Sequence, residues 1–259
     1  MIAPGTLEAL GLVLARTSAM VLASPVLGTG TTFGGVKVGL IAALTLVSWL
    51  ATGSPTAAPG AGALEFCLLA GREVVIGLAL AFVLQAALLT IRVAGHLIGH
   101  EMAFAMSQQV DPASGVQTPT VTHLYEVVFT LALLSVDGHL WIVRALSESF
   151  LRAPVGVVGG SDGAVSVAVA TFGEMFAAGL VFAAPVMVLL ATVSVVIGVL
   201  ARAVPQINVL EFGFNLRVVA GLGGMFLFAP LLAPAIDGLL TQLLASLNSG
   251  LDALEVARG

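Results

Sequence analysis

Twenty-seven consecutive positions, 175 to 201, carry no charged side chain, and two further runs, 74 to 91 and 218 to 236, share that property. About 20 apolar residues in a helix cross the hydrocarbon core of a bilayer, so these runs predict membrane helices before any other feature is weighed. Residues 7 to 27 and 36 to 52 are weaker spans, because Arg16 sits inside the first and Lys37 opens the second. Residues 121 to 147 are weaker still, since Glu126, Asp137, His139 and Arg144 interrupt them. The expected count is five or six hydrophobic helices, all-α, in an integral membrane protein. Composition agrees: 59% of the 259 residues are hydrophobic and only 9% are charged, where a soluble domain has about 25% charged residues. Mean hydropathy is +1.11. Too little polar surface exists to wrap a water-exposed domain of this size.

Several functional classes fall away on the same numbers. The 9 basic and 14 acidic residues give a net charge of −5 with no basic run, which excludes a basic face for nucleic acid. A single cysteine, Cys67, cannot form an intramolecular disulfide, and its setting in LEFCLLAG reads as a small buried hydrophobe. The first segment lacks a positively charged leader and is broken by Arg16, so it is expected to be retained. No nucleophile elbow, G-x-S-x-G, is present, and the single lysine follows no phosphate-binding glycine loop. His96 and His100 share the i,i+4 spacing of zinc ligands, but Glu101 follows the second histidine and no third ligand stands at ligand spacing; they read as polar packing. No enzyme, cofactor or metal site is expected.

What remains unusual is charge inside apolar segments. Arg16, Glu73, Glu126, Asp137, Arg144, Glu174, Arg202, Glu211, Arg217 and Asp237 lie in or beside the helices, where an unpaired mid-bilayer charge costs roughly 2.5 to 3.5 kcal/mol. Three readings stay open: snorkelling from helix ends, buried pairs within an assembly, or an ion path. Most of these residues are expected to face other helices. Glycines four apart, Gly30/Gly34, Gly35/Gly39 and Gly95/Gly99, and the cluster Gly221, Gly223 and Gly224 predict close helix approach. Pro185, Pro230 and Pro234 predict kinks or half-helices. The one long connection expected is 92 to 122, a functional loop by its length, in which Met102, Phe104 and Met106 supply deformable apolar bulk ahead of Ser107, Gln108 and Gln109. Asp111, Pro112, Gly115 and Pro119 have turn chemistry. Counting basic residues in the short loops favours an N-terminus outside.

Three stretches, AFAMSQQVDPASGVQTP (103 to 119), VDGHLWIVRALSESF (136 to 150) and LARAVPQINVLEFGFNLRVVAGL (200 to 222), resemble the FliR family, the membrane component of the flagellar type III protein export gate. The central loop is more similar to the flagellar branch than to the virulence branch. The resemblance implies kinked helical hairpins, with 1 to 165 a FliP-like part and 166 to 259 a FliQ-like hairpin. One such chain would join FliP-like and FliQ-like subunits around a pore, largely above the plane of the bacterial inner membrane, in the flagellar basal body. FlhB-like and FlhA-like export proteins and basal-body rod and ring proteins would be its neighbours, and unfolded flagellar subunits its cargo. It further implies a pore plug at Phe104, Met106, Gln108, Gln109, Asp111, Pro112 and Gly115, and a cytoplasmic hairpin tip at Arg202, Pro205, Gln206 and Asn208. A proline often found in this family gives way to Asn215 here. A small polytopic solute transporter, with a path lined by Arg16, Glu73 and Asp137, is the alternative.

Overall fold

A computed structural model describes residues 5–24, 34–53, 62–102, 120–155, 162–204 and 208–256. Among these, eight helices and no strand are found: α1 (Thr6–Ala23), α2 (Gly34–Ala51), α3 (Ala63–Glu101), α4 (Thr120–Ser135), α5 (Gly138–Arg152), α6 (Asp162–Ala203), α7 (Val209–Leu227) and α8 (Ala229–Val256). Five helices are long and apolar enough to cross a membrane, or six if the bent pair α4 and α5 counts as one span. That agrees with the count expected from the sequence. The 39 residues of α3 and 42 of α6 amount to about 58 and 63 Å at 1.5 Å per residue, roughly twice the hydrocarbon thickness. Both helices therefore continue well outside any bilayer they cross.

Proline and glycine set the breaks. The uncharged run 218 to 236 is two helices, because Pro230 has no N–H to continue the ladder and disfavours α geometry in the residue before it. The chain turns at Phe228, whose N–H still bonds to Gly224 O at 2.9 Å, and Pro230 is accommodated in the first turn of α8. Pro185 and Pro234 are held inside α6 and α8. Between α4 and α5 the axis bends by 69°. Asp137 adopts φ 56°, the one positive φ at a non-glycine position among the described residues. Gly138 follows because a Cβ there would lie 2.8 Å from Leu133 O. The pair Asp137–Gly138 thus makes the corner.

The helices form two compact units. The first comprises the described residues of 1–86, 133–173 and 241–259. In it α1 and α3 run parallel, since Gly11 meets Phe66 and Gly77 meets Arg16 and Ala19, and Gln85 donates to Ala23 O at 2.9 Å. Helix α2 packs on α1 and on α5. A Cβ on Gly77 would stand 2.4 Å from Arg16 O, so the backbones approach as only glycine allows.

At this crossing lies a buried polar knot. Arg16 and Glu73 are both 0% exposed. The Arg16 Nε donates to Glu73 Oε2 at 2.7 Å, Nη1 to Ser149 Oγ at 3.1 Å and Nη2 to Ala153 O at 2.8 Å. Its guanidinium lies 4.2 Å from the centre of the Phe150 ring, a cation–π contact. One side chain therefore joins α1 to α3 and to the end of α5. Of the charges expected to face other helices, these two are fully buried, whereas Asp137, Arg144, Glu174, Arg202, Glu211 and Asp237 are exposed on the isolated chain. Cys67 departs from expectation likewise: it is exposed, as are Leu64 and Leu68, because Phe66 takes the side of these first turns that meets Gly11 of α1.

Breaking a buried ion pair leaves an uncompensated charge, at a cost of about 3 to 5 kcal/mol, whereas replacing both members by apolar groups is often neutral. Arg16→Met and Glu73→Leu are each expected to lower stability in mild detergent by about that amount, and the two together to restore most of it. A double-mutant cycle of unfolding midpoints checks this; additive losses would show that the pair is not coupled.

Candidate functional site

The second unit comprises the described residues of 87–132 and 174–240, and it holds the frame of both predicted sites. Its first element is a hairpin of the second half of α3 with α4. Arg92 Nε is ion-paired with Glu126 Oε1, and one helical turn further along, Gly95 stands against Thr122, where a Cβ would meet Thr122 Cα at 2.5 Å. As residue numbers rise on α3 they fall on α4, so the two helices are antiparallel and converge on the segment 103 to 119.

This differs from the long connection expected over 92 to 122. Helix α3 continues to Glu101 because Ala94 and Ile98 are buried at helical spacing, and α4 begins at Thr120. Met102, the last described residue before the segment, is 0% exposed and packs on Gly221 of α7, where a Cβ would lie 2.6 Å from its sulfur. His96 and His100 are exposed on α3, so they do not provide packing within the chain. No group of three metal-ligating side chains occurs among the described residues. The residues singled out for the plug, Phe104, Met106, Gln108, Gln109, Asp111, Pro112 and Gly115, lie outside the described residues.

The second hairpin is α6 with α7. Leu189 lies against Gly224, and Ile197 against Gly213, again antiparallel, with the apex at 204 to 208. Arg202 is exposed in the last turn of α6, and exposed Asn208 precedes α7, with its Nδ2 3.4 Å from Glu211 Oε2. Pro205 and Gln206 lie outside the described residues. Thr90 Oγ1 donates to Met175 O at 2.8 Å, and Gly179 brings α6 close to Thr90 O, while the Tyr125 and Phe182 rings meet edge to face at 5.6 Å. These contacts bind the two hairpins into one unit.

Glycine spacing is informative only in part. Gly95, Gly221 and Gly224 are at close approaches, whereas Gly34, Gly35, Gly39 and Gly223 face open space on this chain. Thr90 and Thr122, which receive the glycine contacts, carry no signal in the sequence. Large apolar side chains remain outside: Phe226 is 84% exposed and Val181 74%. Such a surface is stable only against lipid or a neighbouring protein.

Long apolar helices, glycine-tight hairpins and a buried ion pair define an α-helical integral membrane protein whose outer face is completed by lipid or other chains. The chain belongs to the family described as bacterial export proteins, family 1, whose profile matches residues 7–243. It is 30% identical to the flagellar biosynthetic protein FliR of Escherichia coli strain K12 over 89% of this chain and 87% of that protein. To FliR of Bacillus subtilis strain 168 it is 29% identical over 60% of this chain and 61% of that one. The surface presentation of antigens protein SpaR of Shigella sonnei is 26% identical over 56% of each chain.

A side chain at Gly95 would run into the backbone and the side chain of Thr122, and overpacking of this kind costs about 1 to 3 kcal/mol. Gly95→Leu is expected to lower stability in detergent by that order, while Gly223→Ala leaves it within about 0.5 kcal/mol. Equal midpoints for the two variants would contradict the close packing of α3 on α4.

Proposed function

We propose that this protein is a component of the flagellar type III protein export gate in the bacterial inner membrane, at the flagellar basal body, and forms part of the pore for unfolded flagellar subunits. The observation that carries the reading is the similarity to Escherichia coli FliR along nearly the whole chain. The match to SpaR of Shigella sonnei covers less of the chain, which favours the flagellar branch. On this reading residues 1 to 165 form a FliP-like part and 166 to 259 a FliQ-like hairpin, surrounded by FliP-like and FliQ-like subunits, with FlhB-like and FlhA-like export proteins at the entrance. Exposed Phe226 and Val181 fit a chain that packs against such neighbours.

The segment from Phe104 to Pro119 is the plug. Two features support this: both of its stems are fixed, one by Met102 on Gly221 and the other by Thr122 on Gly95. A segment held at both ends has a defined reach, and Phe104, Met106, Gln108 and Gln109 supply deformable bulk and amide groups that yield to a passing chain. Asp111, Pro112 and Gly115 shape its turn. Arg202, Pro205, Gln206 and Asn208 form the tip facing the cytoplasmic entrance. The protein is a conduit and not a motor; Glu126 serves as the ion-pair partner of Arg92.

Native mass of the tagged protein extracted from its own cells in mild detergent tests the assembly: two smaller hydrophobic proteins in several copies are expected with it, and a lone monomer or homodimer would refute the gate. Within that assembly, deleting 108 to 115 is expected to let ions or small solutes leak across the membrane. Unaltered conductance would overturn the plug assignment. Glu126→Gln with Asp137→Asn is expected to leave export of flagellar subunits intact, measured by secretion; a loss would make these carboxylates proton carriers.

A further inference from the structure

We infer that one side of the α3–α4 hairpin lines the water-filled conduit and is the wall along which an unfolded polypeptide passes; the inference rests on the gate reading above. Between residues 87 and 102 of α3 the exposed positions are Arg92, His96 and His100, and no apolar side chain is exposed there. Spaced four apart, the three form one stripe along the helix. Glu126 of α4 is ion-paired with Arg92, which fixes the side of the hairpin that the stripe occupies. His123 adds a third imidazole beside it, with its side chain 72% exposed and its Nδ1 3.8 Å from Glu126 Oε2. Three of the four histidines in the chain are thus gathered on this hairpin. Ala94, Ile98, Tyr125 and Phe129 are buried, and Tyr125 meets Phe182 of α6. Helix α6 and helix α7, by contrast, expose Val181, Phe226 and Leu227.

The chemistry of the stripe selects what it faces. Ionisable groups inside a membrane protein are costly against acyl chains and face a bundle interior or a water-filled cavity, so a guanidinium, a carboxylate and three imidazoles on one side exclude lipid. A companion subunit would have to bring a matching partner for each of them, and Arg92 already has its carboxylate in Glu126. Water satisfies them without any matching, because a neutral imidazole offers one donor and one acceptor. The stripe also runs to the end of α3, where the chain passes at Met102 into the segment from Phe104 to Pro119. The wall and the stem of the plug are therefore the same helix. For a passing chain such a wall is preferable to the apolar surfaces of α6 and α7, which would hold unfolded apolar segments by burying them.

The test uses the assembled gate, purified in mild detergent from its own cells, in a Cys67→Ser background carrying His96→Cys, His100→Cys or His123→Cys singly, with Phe226→Cys for comparison. Co-purification of the two smaller hydrophobic proteins reports the assembly of each variant. A charged, water-soluble methanethiosulfonate reagent is then added, with and without a flagellar subunit stalled in the gate by a fused, tightly folded domain. The three histidine positions are expected to react at least about tenfold faster than Phe226→Cys, since an apolar setting disfavours the reacting thiolate, and to be protected once a subunit is stalled. Reaction no faster than at Phe226→Cys in an assembled gate would overturn the inference and place the stripe against a companion chain. Fast reaction that a stalled subunit leaves undiminished would overturn it too, by placing the stripe on the outer surface. Parent protein recovered without the two smaller proteins would overturn the gate reading itself, and the inference with it.

Discussion

A charge in an apolar helix has to be answered by another group, and Arg16 is answered four times over. Glu73 neutralises it, Ser149 accepts from its Nη1 and the Ala153 carbonyl from its Nη2, and the Phe150 ring lies beside it. These partners come from α3 and from the end of α5, so α1 can occupy only the one position that satisfies all of them. Apolar contacts alone are non-directional and would tolerate sliding of one long helix along another. The requirement that no guanidinium N–H be stranded in the interior removes that freedom. The glycine at position 77 complements the arrangement by letting the α3 backbone reach the carbonyl of Arg16 itself.

Among its described residues the second unit solves the same problem without a buried charge. Its register is set by shape: Gly95 on Thr122, Gly179 on Thr90, Gly221 on Met102 and Gly224 on Leu189. Close backbone approach substitutes for a hydrophobic driving force that lipid would otherwise cancel. Two antiparallel hairpins result, and each carries at its apex one of the segments that set this chain apart. Packed stems beneath a connecting segment are the general way in which a scaffold positions a loop.

Much of this arrangement was legible in the residues. Charge-free runs located parts of the long helices, and the AFAMSQQVDP segment follows α3 while ARAVPQIN spans the end of α6. Pro230 marked the break that splits the last uncharged run. The ends of helices were harder. RVAGHLIGHE reads as polar and loop-like, yet Ala94 and Ile98 fall at helical spacing and carry α3 on to Glu101. Pairing was not legible: Arg16 meets a carboxylate 57 residues away with a whole helix between them, and no local pattern names that partner. Cys67 misled for the opposite reason, since apolar neighbours in sequence do not imply burial when the chain's outer face is itself apolar.

The corner at Asp137–Gly138 bears on topology. Helices α4 and α5 have 16 and 15 residues, about 24 and 22 Å at 1.5 Å per residue, so neither arm alone crosses a core of ~30 Å. Among the described residues, insertion machinery working along the chain meets no unbroken span between α3 and α6. If the bent pair crosses, α6 starts on one side of the membrane; if it dips and returns, α6 starts on the other. A left-handed aspartate and a glycine without room for a Cβ thereby govern the parity of the crossings, and with it the compartment that receives the α6–α7 apex.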